Sequence, residues 1–164
     1  MTTETTTITM HHASVSWDAD RDDLRAHTVR LAEQTVAASS APEFGGNGAK
    51  ADPEELFVAS LSACHMLWFL DCSRGKRLRV TAYEDEAEGT MDGTRFARVV
   101  LRPRVTFRED PGREVVDQLH HRAHGLCFVA NTVNCPVEVE MRAGGDDARA
   151  RVSATREMSE QPGD

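Results

Sequence analysis

The residues best equipped for chemistry are four cysteines, Cys64, Cys72, Cys127 and Cys135, and the histidine run "HHRAHGLC" at 120–127. Cys64 stands in "SLSACHMLWFL" (60–70), one of the most apolar stretches of an otherwise polar chain. Three chemistries compete for it. Unpaired cysteine often fills core space. The thiols lack CxxC spacing, so a zinc ribbon is not indicated. His120, His121, His124 and Cys127 do offer the i, i+3 and i+4 spacings of helical metal ligands, with His65 beside Cys64 as a further donor. No HExxH accompanies them, and a solvent-facing histidine run accounts for the same residues. A reagent cysteine needs a cation to hold its thiolate, because an ordinary thiol has a pKa near 8.5 that apolar burial raises. His65 follows Cys64 but points about 100° away on a helix. An arginine from elsewhere, oriented by a carboxylate, serves better.

These residues need elements to position them. The alternation over Ile8–Trp17 reads as a strand, followed by the charged loop "DADRDD" (18–23) and two short strands within Leu24–Ala38. "SSAPEFGGNGAKADP" is loop by its glycines and prolines. Asp52 is then a good N-cap, with Pro53 at the first helical position and Glu55 completing a capping box. The helix so begun runs to about Arg74, before Gly75. It is apolar on nearly every face and is expected to be the buried central element. Val80–Met91 and Thr94–Phe107 read as a hairpin around Asp92-Gly93. Gly112–Val129 reads as a second helix whose apolar stripe, Val116, Leu119, Ala123, Leu126, Cys127 and Ala130, includes a thiol. Pro136–Met141 supplies a last strand. The fold class is α+β, with a single domain over 1–143 and a flexible tail over 144–164.

Composition limits the functions available. The net charge of −8 and the scattered arginines argue against a nucleic-acid surface. Leu61–Leu70 is shorter than a bilayer span, and the N-terminus "MTTETTTITM" lacks the basic and apolar regions of a signal peptide. The expectation is a cytoplasmic protein with no membrane or nucleic-acid partner, in which cysteines stay reduced.

"ADPEELFVASLSAC" (51–64), "AHGLCFVANTVNCPV" (123–137) and "APEFGG" (41–46) together resemble the OsmC/Ohr family of osmotically inducible and organic-hydroperoxide-resistance proteins. The resemblance covers roughly residues 8–142. Ten positions separate Glu54 from Cys64, as in the family's first motif, with Asp52 where the family often has Asn. The resemblance implies an OsmC-like fold, antiparallel sheets with a buried central helix in an intertwined homodimer. It implies a cysteine-based thiol peroxidase that needs no cofactor. Cys64 matches the peroxidatic cysteine that attacks an organic hydroperoxide. Cys127 matches the resolving cysteine, which forms a disulfide that an external dithiol reduces. Glu54 matches the carboxylate orienting a catalytic arginine, for which Arg21 is the first choice and Arg25 the second.

Ten residues of one helix span about 15 Å, so one chain does not easily bring Glu54 and Cys64 together, whereas two such helices crossing between chains would let them share a site. Cys72 reads as packing, and Cys135 as packing or a competing resolving thiol. The bulky "CHMLWFL" points to a less studied OsmC-like branch rather than Ohr proper, leaving substrate preference open. The alternative to an enzyme is a non-catalytic thiol or small-ligand-binding protein of the same fold.

Overall fold

The computed structural model describes residues 8–19 and 23–141, in two compact units divided between Leu56 and Phe57. In the first, β1 (Ala13–Ser16), β2 (His27–Leu31) and β3 (Gln34–Ala38) form an antiparallel sheet in chain order. β1 is shorter than the alternation suggested. β2 and β3 turn tightly at Ala32, whose φ of 53° is left-handed without a glycine. The loop that follows is stitched around buried Ser39. Its hydroxyl donates to Asp23 at 3.4 Å and accepts the Asn47 amide at 3.2 Å, while Lys50 pairs with Asp23 at 3.3 Å. Gly46 of "APEFGG" is obligatory, because a Cβ there would collide with the Ser40 carbonyl oxygen.

Helix α1 (Pro53–Gly75) opens with the expected capping box: Glu55 N–H donates to Asp52 Oδ1 at 2.7 Å, and Asp52 N–H to Glu55 Oε2 at 3.2 Å. Its end differs from expectation. Gly75 is still helical, and a Schellman turn closes the helix at Arg77 (φ 60°), with Leu78 N–H on Ser73 O and Arg77 N–H on Arg74 O.

In the second unit the expected long hairpin breaks into two sheets. β4 (Val80–Asp85) pairs with β7 (Pro103–Phe107), and β5 (Glu88–Asp92) with β6 (Arg95–Leu101), around a turn where Gly93 has φ 61°. Asp85 sits at the break. It accepts the Arg102 amide at 2.6 Å and the Ser62 hydroxyl at 2.5 Å, tying the sheet ends to α1. α2 (Arg113–Leu126) is followed by β8 (Val137–Val139), which joins β6 in parallel rather than antiparallel sense.

The buried residues of α1, Leu61, His65, Phe69 and Ser73, form one ladder at four-residue spacing. Leu61 packs with Val99 and Leu101 of β6, and Phe69 with Leu119 and Ala123 of α2. The other faces are half-buried or exposed within the chain, Leu67 by 59 %, so α1 is not buried all round as its composition suggested. Its 23 residues are also long and apolar enough to cross a bilayer, which the shorter stretch Leu61–Leu70 concealed. The polar His65 and Ser73 on its packed ladder are instead the pattern of a core helix.

Candidate active site

Between the two apolar clusters on α1 stand Cys64 and His65. Leu61 and Phe69 anchor the turns on either side, so the thiol has a fixed backbone beneath it. α2 ends at Cys127, which caps the helix through its N–H on the His124 carbonyl at 3.2 Å. Cys127 is buried, 1 % exposed, with Cys64 close enough to perturb its ionisation. The two cysteines singled out from the sequence are therefore brought together, both in reduced form.

Burial pushes the Cys127 thiol up to about 11. The Ala130 amide, 3.4 Å from Sγ, opposes that rise, and the neighbouring Cys64 thiol adds to it. At neutral pH Cys127 is a protonated thiol. Cys72 packs against the Phe69 cluster and Cys135 against the Leu61 cluster, both apolar sites.

The carboxylate and the arginine are in a different position. Glu54 is half-buried in the first turn of α1. Arg21 lies outside the described residues. Arg25 is exposed, and its backbone anchors the loop, with N–H on Asp23 Oδ1 at 2.9 Å and its carbonyl 3.0 Å from His27 Nδ1. Among the described residues no ion pair joins Glu54 to Arg25.

The histidines depart most from the sequence reading. His65 and His120 are buried, 0 % and 3 % exposed, with His65 Nε2 3.0 Å from His120 Nδ1 and parallel rings 5.3 Å apart. Phe69 backs His120 at 4.2 Å. Burial holds both imidazoles down to about 4, and neighbouring histidine charge lowers them further, His124 acting on His65 and His65 on His120. His121 is exposed and His124 half-buried. With Asp117 and His120 they line an open cavity of about 230 Å³, together with Val137, Val139 and Met141. Among the described residues no three His, Cys, Asp or Glu side chains are grouped to hold a metal ion. The signal missed in the sequence was the ladder itself. His65 falls four residues from both Leu61 and Phe69, so it had to face the core.

A family profile described as OsmC-like protein matches residues 45–142. The chain is similar to an OsmC-like protein of unknown function from Vibrio cholerae, with 34 % identity over 82 % of this chain and 100 % of that one and a TM-score of 0.75. It also matches an organic hydroperoxide resistance protein from Legionella pneumophila at 18 % identity, over 84 % and 100 % of the two chains, with a TM-score of 0.66. One from Bacillus subtilis matches at 18 %, over 82 % and 98 %, with a TM-score of 0.58. These two likenesses concern the fold alone. No curated protein sequence gives a match.

Proposed function

The chain belongs to the OsmC-like protein family, and we propose that it is a cytoplasmic two-cysteine thiol peroxidase that reduces organic hydroperoxides. The observation that carries this reading is the buried Cys127 thiol beside Cys64, where α1 packs on α2.

In the proposed reaction the Cys64 thiolate attacks the distal peroxide oxygen. An S–O bond forms, the O–O bond breaks, and the departing alkoxide takes a proton to become an alcohol. Sulfur loses two electrons and the peroxide gains them, leaving Cys64 as a sulfenic acid. Cys127 then gives up its proton and attacks the Cys64 sulfur. The S–S bond forms as hydroxide leaves, and that hydroxide with the Cys127 proton makes water. An external dithiol restores both thiols by exchange.

Cys127 suits the second role. A buried thiol with raised pKa does not compete for peroxide, yet stands beside the sulfur it must later attack. Thiolate activation at Cys64 is assigned to Arg21, oriented by Glu54, with Arg25 as the second choice. Because Glu54 and Cys64 are about 15 Å apart along α1, this assignment requires two chains, each contributing part of every site. An intertwined homodimer is therefore part of the proposal. Exposed apolar side chains support it in each unit: Val15, Trp17 and Leu24 in the first, Leu67 and Phe128 in the second.

The test is catalytic consumption of cumene hydroperoxide with dithiothreitol as reductant. Wild type is expected to turn over, Cys64→Ser to lose all activity, and either Arg21→Ala or Arg25→Ala to lose at least about 100-fold. Turnover unaffected by Cys64→Ser would overturn the reading.

A further inference from the structure

Among the described residues, His65 and His120 are the most deeply buried titratable side chains that the proposed reaction does not use. They bridge the same two helices that bring the thiols together. His65 follows Cys64 on α1, and His120 lies two turns before Cys127 on α2. We propose that the His65–His120 hydrogen bond is a positioning device that sets the approach of α2 to α1 and so holds Cys127 at disulfide-forming range of Cys64.

The donor can be assigned. The two facing nitrogens are 3.0 Å apart, so one carries hydrogen and the other does not. His65 Nδ1 is buried without a partner. Were it protonated, an N–H would be orphaned in the core, the rarer and costlier arrangement. His65 therefore donates from Nε2 to His120 Nδ1, and His120 keeps its own proton on Nε2, on the ring that borders the cavity. A directional bond across the helix interface fixes one separation and one rotation. Apolar contacts, being non-directional, fix neither so tightly.

The environment keeps the pair in this state. From α2, His124 faces His65 at 6.4 Å between ring centres, and Asp117 and His121 share the cavity with His120. From β4 the titratable neighbour is Tyr83, packed on Phe69, itself held protonated by burial and by Asp85. From β8 the cavity neighbours, Val137 and Val139, are apolar. The causes acting on the two rings, burial and neighbouring histidine charge, all disfavour an imidazolium. The pair stays neutral and bonded across the ordinary pH range.

The inference rests on the thiol-peroxidase reading for its biological use, and its test does not need a peroxide. In a Cys72→Ser/Cys135→Ser background, the Cys64–Cys127 disulfide is equilibrated against oxidised and reduced dithiothreitol and quantified by mass spectrometry. His120→Leu keeps the volume and removes the acceptor. His120→Asn and His65→Gln place an amide where the bonded nitrogen was. The effective concentration of the thiols is expected to fall about 10- to 100-fold in His120→Leu and less than about threefold in His120→Asn or His65→Gln. If Leu closes the disulfide as well as wild type, or Asn and Gln are no better than Leu, the pair merely packs and the proposal is overturned. It is equally overturned if wild type forms no Cys64–Cys127 disulfide in the most oxidising buffer. Failure of peroxide turnover alone, with the equilibrium as expected, would remove the enzymatic reading and leave the positioning role standing.

Discussion

Cys127 and the buried histidines both have displaced pKa values, and each yields a prediction. A thiol lifted to about 11 is slow to react in the native protein, so its alkylation by iodoacetamide should rise steadily from pH 7 to about 11. Saturation near pH 8 would contradict the buried thiol. Removing it by Cys127→Ser should leave Cys64 as a long-lived sulfenic acid after peroxide, trapped by dimedone, with no disulfide. The histidines act in the opposite pH range. Their folded pKa of about 4 is below the unfolded 6.5, so the unfolded chain binds more protons between those values. Stability from this source is complete above pH 6.5 and is lost as pH falls towards 4, on the order of 3 kcal/mol for each ring taken alone. Urea midpoints should therefore fall between pH 6.5 and 4, and the His65→Gln/His120→Asn protein should lose much of that slope. An unchanged slope in the variant would refute the assignment.

α1 shows where local sequence signals suffice and where they do not. Its start was legible because Asp52, Pro53 and Glu55 each act through bonds within one turn. Its stop was not, since the left-handed position fell on Arg77 rather than on the glycine two residues earlier. A non-glycine residue there is strained, so Arg77→Gly should stabilise the protein by about 0.5–1 kcal/mol, read as a rise of a few degrees in Tm. A fall in Tm would mean that the Arg77 side chain matters more than its backbone. The hairpin was legible at Asp92-Gly93, but its division into two sheets was not. That break depends on Asp85 bonding Ser62 and the Arg102 amide, contacts 23 and 17 residues away in sequence. The thiol pair was marked by spacing and resemblance. The histidine pair, formed across 55 residues, required the packing of α1 on α2.

At the scale of the molecule, each unit leaves apolar side chains uncovered, with Val15 67 %, Leu24 68 % and Phe128 68 % exposed. Isolated apolar residues on a surface are ordinary, yet the apolar outer face of α1 with Leu67 is not the surface of a free-standing helix. The homodimer proposed above would cover that face as well as bring Glu54 and Cys64 of two chains together. Sedimentation should give twice the 18.1 kDa chain mass, and Leu67→Glu should shift it towards monomer. A stable wild-type monomer with full peroxidase activity would exclude a site built from two chains.

The most direct measurement is peptide mapping of fully reduced protein after one equivalent of cumene hydroperoxide. The expected result is rapid loss of about two mass units per chain, mapped to a Cys64–Cys127 link. Thiols that stay free, or that oxidise slowly and without preference among the four cysteines, would contradict a peroxidase built on this pair.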